Sequence, residues 1–191
     1  MSDARPGEIL AFWFGEHDET RAEWFKKDAA FDAQIAERFG TLVEDALAGG
    51  LDSWDSQPDS ALARILLLDQ FTRNMFRGTA RAFAGDAQAL QIARALVASG
   101  QDRQFSGVRR QFTYLPFEHA EDLAHQRTCV QLFEQLARDE PERASLIEWA
   151  QRHHDVVARF GRFPHRNRTL QRASTPDEER FLAEGGARFG Q

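Results

Sequence analysis

Residues 29–50 read AAFDAQIAERFGTLVEDALAGG, and this stretch indicates the fold class. Its apolar residues recur at intervals of three and four, which is the spacing of one face of an α-helix. The pair Gly49 and Gly50 follows the last of them and is typical of a helix end. We therefore predict a helix over about residues 29–48. Its apolar face consists of Phe31, Ile35, Phe39, Leu42 and Ala46.

The same spacing recurs along the rest of the chain, and no segment has the alternation of a half-buried strand. The connections between the predicted helices are short, as in an antiparallel helical array. We expect an all-α protein of about eight antiparallel helices that forms one domain over residues 1–191. The other helices are predicted near residues 9–14, 61–70, 86–100, 108–115, 118–138, 141–160 and 176–184.

Polar residues and prolines predict where several of these helices begin and end. Asp59 or Ser60 is expected to cap the helix near residue 61, and Asp86 the helix that follows it. Pro116 is expected to separate two helices. The clearest signal is Thr175-Pro176-Asp177-Glu178, a capping box with proline at the first helical position.

The composition excludes several classes of protein. A net charge of −6 and a pI near 5.5 argue against nucleic-acid binding, which needs a basic face. The longest apolar runs, residues 9–14 and 65–68, are too short to span a membrane. Cys129 is the only cysteine, so an intrachain disulfide and a multi-cysteine zinc site are excluded. With no signal-peptide pattern in residues 1–8, we expect a cytosolic protein without nucleic-acid or membrane partners.

Two arginine-rich blocks stand out in this acidic chain. Residues 70–85 contain Arg73, Arg77 and Arg81 and no acid. Residues 161–172 contain four more arginines and again no acid. Such blocks, interleaved with phenylalanine, indicate either a site that attracts an anion or a buried network of ion pairs. Both interpretations stay open on these residues alone.

Two polar residues lie on predicted apolar helix faces. Asp69 follows Leu62, Ile65 and Leu66 and needs a partner there, so we expect a structural pair with an arginine, with a functional carboxylate as the alternative. His154 is predicted to point inward and to serve as a hydrogen-bonded core histidine.

The acidic segment 118–125 has some features of a metal site. A helix that begins after Pro116 would place Glu118, Glu121, Asp122 and His125 near one face. The spacing of Asp122 and His125 occurs in metal sites of helical bundles, but no matching second set is evident. We predict a solvated acidic face, no metal and no cofactor.

Three long motifs give the chain a resemblance to a known family. They are LLLDQFTRNMFRGTARAFAGD (66–86), YLPFEHAED (114–122) and FGRFPHRN (160–167) with STPDEE (174–179), and they resemble the bacterial domain of unknown function 924. The starts ILAFWFG (9–15) and WFKKDAAFD (24–32) are similar to it as well. The resemblance implies an all-α, irregular TPR-like array and no established activity.

Thr72 stands where the family pattern implies proline, and Gln171 where it implies glycine. The motif residues are Asp69, Gln70, Arg73, Asn74, Arg77, Gly78, Glu118, His119, Glu121, Gly161, Arg162, Pro164, His165, Arg166 and Asn167.

We expect the three motifs to converge on one pocket for a small anionic molecule or an acidic peptide end. Arginines would supply charge, asparagines would supply directional donors, and phenylalanines would form the walls. The alternatives are a TPR-like interaction scaffold in which the motifs are structural, and a metal-dependent hydrolase. Whether the protein is an enzyme, and its oligomeric state, stay open. The predicted catalytic residues are Glu118, His119 and His165, and the predicted ligand-binding residues are Asp69, Arg73, Asn74, Arg77, Glu121, Arg162, Arg166 and Asn167.

Overall fold

The computed structural model describes residues 4–18 and 20–189, and Phe25 by its backbone alone. Residues 1–3, part of the stretch searched for a signal peptide, lie outside the described residues. All regular structure in the described ranges is helical, which confirms the all-α prediction. No helix among them is long and apolar enough to cross a membrane. The α-helices are α1 Arg5–Phe14, α2 Ala29–Leu47, α3 Pro58–Ile65, α4 Thr72–Met75, α5 Asp86–Ser99, α6 Gly107–Glu118, α7 Leu123–Asp139, α8 Ser145–Phe160 and α9 Pro176–Ala183.

A π-helical turn, Leu66–Phe71, joins α3 to α4 in one continuous helix. With these two counted together, the described residues form eight helical rods, as predicted. The predicted end near residue 70 is wrong, because the helix continues through the π turn to Met75. The hydroxyl of Thr72 donates to the carbonyl of Leu68 at 2.8 Å inside this turn.

The predicted boundary between two helices at Pro116 is also wrong. Pro116 lies inside α6, in its last turn, where the missing N–H removes only one helical hydrogen bond. α7 begins later than predicted, because the carboxylate of Asp122 accepts from the backbone of His125 at 3.0 Å and caps it. Glu118 therefore ends one helix and Asp122 precedes the next, so the predicted shared acidic face does not exist.

Two predicted caps are wrong for local reasons. The N-cap of α3 is Gln57, and Ser60 lies inside the helix, where its hydroxyl donates to the carbonyl of Trp54 at 2.6 Å. The N-cap of α5 is Gly85, which makes no side-chain cap. A methyl group on Gly85 would overlap the backbone of Leu68, so glycine is needed there for close packing.

The chain divides into two compact units, unit 1 (Met1–Arg77 and Arg81–Pro116) and unit 2 (Gly78–Ala80 and Phe117–Gln191). The single domain predicted over residues 1–191 stays a prediction. Unit 1 has an aromatic core in which the ring of Trp13 lies 5.4 Å from that of Phe71 and 5.5 Å from that of Phe112. All three side chains are almost fully buried.

Unit 2 is built on α7 and α8, which pack against each other across a short connection. One cluster of its core consists of Val156, Val157 and Phe163, with the partly buried rings of Phe160 and Phe181 packed on them. α9 starts as predicted: the hydroxyl of Thr175 accepts from the N–H of Glu178, and the carboxylate of Glu178 accepts from the N–H of Thr175.

Candidate functional site

The arginines of the first motif, in unit 1, are paired with carboxylates. The guanidinium of Arg73 lies 3.0 Å from the carboxylate of Asp69, which is fully buried, and donates to Asp86 at 2.8 and 3.1 Å. Burial acts to lower the pKa of Arg73, but the charges of Asp69 and Asp86 outweigh it and raise the pKa. Arg73 therefore ties the π turn to the start of α5 and stays charged.

The other donors of this motif converge on a residue of α2. Arg77 donates to both carboxylate oxygens of Asp32, at 2.7 and 3.0 Å, and Asn74 donates to the same carboxylate at 2.6 Å. Arg81 forms a more exposed pair with Glu44 at 2.6 Å. The predicted pair of Asp69 with an arginine is thus present. The side chains of Asn74 and Arg77 likewise donate to a carboxylate of unit 1.

In unit 2, the third motif is tied to the start of α9. Arg162 donates to both oxygens of Glu178, at 2.6 and 2.8 Å, and Asn167 donates to Glu178 at 3.2 Å. Glu178 is only 2% exposed. The hydrogen bond from Arg162 is the largest cause that lowers the pKa of Glu178 to about 2. Arg162 and Asn167 are therefore parts of a buried ion-pair network.

Glu121 joins the second motif to the third. Its carboxylate accepts from the backbone N–H of Phe163 at 2.7 Å and receives two hydrogen bonds from Arg172, at 2.5 and 2.9 Å. Burial favours a higher pKa for Glu121, but the hydrogen bonds from Arg172 and Phe163 reverse the shift and lower it. The structure thus brings two of the three motifs together within unit 2. That the first motif joins them stays a prediction.

Around Phe163 lies a group of ionisable side chains that we call the imidazole cluster: Glu118, His119, His153, His165 and Arg166. The His153 ring lies 6.5 Å from that of His119 and 5.7 Å from that of Phe163, and the His165 ring is also 5.7 Å from Phe163. The guanidinium carbon of Arg166 lies 4.6 Å from the centre of the Phe163 ring, and Arg166 is 6% exposed.

His153 has a defined tautomer. Its Nδ1 lies 2.8 Å from the carbonyl oxygen of Trp149, which can only accept, so Nδ1 carries the proton in the neutral ring and Nε2 carries the lone pair. The carboxylate of Glu118 lies 3.5 Å from the same Nδ1. A carboxylate on one side of an imidazole and a lone pair on the other is the arrangement of an oriented general base.

Burial keeps two of these imidazoles neutral. It lowers the pKa of His153 from 6.5 to about 3, and that of His165 to about 3 as well. The positive charge of Arg166 acts in the same direction on both rings. The Nδ1 of His165 is buried and has no hydrogen-bond partner within the described part of the chain. Such an atom is costly to leave unsatisfied, and a ligand could satisfy it.

His153 was not predicted as a site residue, and its neighbour His154 was predicted to lie in the core. His153 is 5% exposed, whereas the side chain of His154 is 21% exposed, so the inward-facing prediction for His154 is wrong. The buried stripe of α8 runs through Ala150, His153, Val156 and Val157. The inward-facing position of α8 is therefore residue 153, one residue before the position that we predicted.

Gln126 is a second residue without a sequence signal. It is fully buried in the first turns of α7, and its amide donates to the carbonyls of Phe117, Glu118 and Ala120 at 3.4, 2.6 and 2.7 Å. These carbonyls lie at the end of α6 and in the turn after it, where the helix offers no further N–H group to bond them. Gln126 thus fixes the turn that presents Glu118 and His119.

No group of three or more metal-ligating side chains occurs among residues 4–18 and 20–189. Asp122 and His125, which have metal-site spacing in the sequence, form the cap of α7 instead. Cys129 is buried, and burial together with the charge of Glu118 raises the pKa of its thiol well above the usual value. A buried thiol that keeps its proton serves for packing and not as a nucleophile.

A cleft of about 460 Å³ opens elsewhere, in unit 1. Arg109 lies in it and donates to Asp18 at 2.9 Å. None of the predicted site residues lines this cleft. The phenylalanines predicted as pocket walls include Phe71, Phe117 and Phe163, which are buried core residues. The cleft lining consists of Asp18, Gln57, Pro58, Asp59, Gln104, Phe105, Ser106 and Arg109.

Comparisons with known proteins place the chain in a family. A solved structure of a protein of unknown function from Agrobacterium tumefaciens is 42% identical, with a TM-score of 0.86 over 95% of this chain and 98% of that chain. No curated protein matches the sequence. The family described as "Bacterial protein of unknown function (DUF924)" matches residues 9–186. The chain therefore belongs to the DUF924 family, as its three motifs predict.

Proposed function

We propose that the imidazole cluster of unit 2 is a cytosolic binding site for a small anionic molecule, at which the neutral imidazoles transfer protons. The observation that carries the proposal is the burial of two neutral rings, His153 and His165, around Phe163 and beside Arg166. A bound anion would favour the protonated form of such imidazoles, and the buried guanidinium of Arg166 is a hydrogen-bond donor that suits an anionic group.

The chemistry that this geometry supports is general base catalysis by His153, once the charge of a bound anion has raised the pKa of the ring from about 3. Its Nε2 lone pair is the free acceptor of the ring, because Nδ1 donates to Trp149. When Nε2 takes a proton, the carboxylate of Glu118, 3.5 Å from Nδ1, stabilises the imidazolium. His165 contributes its unsatisfied Nδ1 as a contact to the ligand, and His119 lies beside the His153 ring.

The residues predicted from the sequence then fall into two groups with different tasks. Glu118, His119, His165 and Arg166 remain in the ligand site, and His153 is added. The others act through intramolecular pairs that hold the helices in place. These are Asp69, Arg73, Asn74, Arg77, Glu121, Arg162 and Asn167.

A specific observation favours the scaffold as a second candidate: the motif arginines Arg73, Arg77 and Arg162 each bind a carboxylate of the same chain. In that interpretation the motifs only stabilise a TPR-like array, whose surface binds a partner segment. The two candidates differ in one measurable respect. If the protein is only a scaffold, substitutions in the imidazole cluster should change its stability but not its binding of anions.

Calorimetric titration with phosphate, citrate and acetate tests the proposal. We expect at least one anion to bind with uptake of protons, because its charge raises the pKa of His153 or His165. Proton uptake is measured by repeating the titration in buffers with different ionisation enthalpies. Arg166→Gln should abolish binding, whereas Arg159→Gln, which removes an exposed pair with Asp177, should not. Binding that is the same in both variants rules out the cluster as the site.

A further inference from the structure

The chain after α9 returns to the imidazole cluster and brings Arg188 to its edge. The ring of Phe189 stacks on that of His153 at 3.5 Å, with 21° between the planes, and lies edge-on to the His165 ring at 5.7 Å. Stacking covers one face of the His153 ring, whereas the Nε2 lone pair lies in the ring plane, so Phe189 does not take the place of a proton donor there. Arg188 directly precedes Phe189 in the chain, so its backbone lies beside the cluster.

Several contacts hold the segment that carries Arg188. The backbone N–H of Gly186 donates to the carbonyl of Phe181 at 2.9 Å, and Ala187 packs on the core cluster of unit 2. The guanidinium of Arg188 donates to the carbonyl of Leu182, in the last turn of α9, at 3.1 Å. The fold therefore defines where the charge of Arg188 lies.

The charge of Arg188 is not balanced by an acid. Its hydrogen-bond partner, the carbonyl of Leu182, carries no net charge, and no carboxylate of residues 4–18 or 20–189 forms an ion pair with it. The side chain is exposed, and the bond to Leu182 uses one of five N–H donors. By contrast, Arg172 is paired with both oxygens of Glu121, and Arg166 is only 6% exposed. Arg188 thus has both a charge and donors to offer an anion.

The charge of Arg188 acts on the imidazole cluster. Burial is the largest cause of the low pKa of His165, and the charge of Arg166 is the next. The charge of Arg188 acts in the same direction, so it lies close enough to affect the ring. An anion bound at the buried Nδ1 of His165 would be attracted by this same charge.

We infer that Arg188 is a further anion-binding residue of this site, supplied by the segment after α9, and that it acts through its unbalanced charge. The inference rests on the proposed anion site and adds a preference for ligands of high negative charge, because the attraction grows with the charge of the ligand. The family match ends at residue 186, so Arg188 is not one of its motif residues.

Arg188→Gln tests this inference with two anions of different charge, acetate and citrate. Affinities are measured by calorimetric titration near pH 7.5 at low salt. A unit charge at about 8 Å in water changes the affinity for a singly charged ligand about twofold, so acetate should lose about twofold and triply charged citrate about tenfold. In about 1 M salt, where the Debye length is about 3 Å, most of this loss should disappear.

Two further variants control for the loss of a side chain and of net charge. Arg188→Lys keeps the positive charge and should retain most of the affinity for citrate. Arg138→Gln removes an exposed arginine with the same change in net charge. Arg138 lies in the last turn of α7, about 18 Å along the helix from Gln126, which contacts the carbonyl of Glu118. This control should bind both anions as the wild type does.

The outcomes separate this inference from the proposal on which it rests. Citrate binding that is unchanged in Arg188→Gln but lost in Arg166→Gln overturns the role of Arg188 and leaves the anion site. Equal losses for acetate and citrate, or equal losses in Arg188→Gln and in either control variant, overturn the role of its charge. If acetate and citrate bind neither the wild type nor any folded variant, the anion site and this inference are both wrong.

Discussion

The carboxylate of Glu121 accepts a hydrogen bond from the backbone N–H of Phe163, 42 residues away, at 2.7 Å. The same carboxylate accepts hydrogen bonds from both terminal nitrogens, Nη1 and Nη2, of the Arg172 guanidinium. One side chain thus positions the backbone of the residue around which the imidazole cluster is arranged. The ion-pair network of unit 2 and its candidate site are therefore structurally coupled through Glu121.

Glu121→Gln should lower the free energy of unfolding by about 1–3 kcal/mol, because the amide cannot accept both bonds from Arg172 and leaves a charge-assisted pair unmade. The control is Glu148→Gln, which removes an exposed pair with Arg152 and should cost about 0.5 kcal/mol or less. Urea denaturation of both variants measures the difference. Equal losses would mean that the Glu121 network contributes no more than a surface pair.

The pH dependence of stability should report the buried imidazoles. The pKa of His153 and of His165 is about 3 in the folded protein, below the ordinary value of 6.5. Below about pH 6.5 the unfolded chain binds protons that the folded protein does not, so stability falls as the pH decreases from 6.5 towards 3. Above pH 6.5 these two groups contribute no slope.

Urea denaturation at intervals between pH 7 and pH 5 measures this slope above the range in which most carboxylates titrate. His165→Gln should reduce it, and the ring resonances of His153 should stay at their neutral positions across the range. A His153 ring that titrates near pH 6.5 contradicts the burial of a neutral imidazole, and with it the tautomer on which the proposed general base depends.

The family pattern implies glycine at position 171, and the structure gives the reason. Gln171 has a φ of 54°, in the left-handed region that glycine adopts without strain. The turn around it leads directly into Arg172, whose backbone N–H donates to the carbonyl of Asn167 at 2.8 Å. Gln171→Gly should therefore leave the free energy of unfolding unchanged or raise it by up to about 1 kcal/mol.

The same substitution at Gln131, an exposed position inside α7, is the matched control. There glycine should destabilise by about 1 kcal/mol, because it lowers the propensity for helix. Thermal or urea unfolding of the two variants compares them. If both lose stability equally, the left-handed conformation at position 171 does not determine the preference for glycine.

The sequence was sufficient for the helices but not for the side-chain partners. The period of three to four residues and the capping box at Thr175 are local signals. They correctly predict α2 and the start of α9, except that Val43 rather than Leu42 is buried in α2. The break between α6 and α7 was predicted at Pro116 because proline is a strong local signal. The cap at Asp122 is just as local, three residues before His125, but Pro116 is the stronger signal in the sequence. The hydrogen bonds from Gln126 to the carbonyls that follow Pro116 have no sequence pattern. His153 was missed for a similar reason: an error of one residue in helical phase changes which of two adjacent histidines is buried.

The ambiguity of the arginine blocks also has a physical cause. A block of arginines without acids is equally suited to bind an external anion or a carboxylate from a distant part of the chain. Apart from Asp69, which is local to Arg73, the carboxylates that Arg73 and Arg77 bind come from α5 and α2, 13 and 45 residues away. Only tertiary structure identifies them, so the sequence could not decide between a ligand site and a structural network.

Arg73→Ala distinguishes these two roles for the first motif. It leaves the fully buried carboxylate of Asp69 without its charged partner, and breaking such a pair costs about 3–5 kcal/mol. Arg81→Ala is the control, because its pair with Glu44 is about half exposed and should contribute about 1 kcal/mol or less. Urea denaturation measures both losses of stability. Calorimetric titration with phosphate, citrate and acetate then compares the anion affinity of the two folded variants. We expect a large loss of stability for Arg73→Ala alone, with unchanged anion affinity, since Arg73 belongs to a structural pair. An Arg73→Ala protein as stable as the Arg81→Ala control, but without anion binding, would instead place the ligand in unit 1.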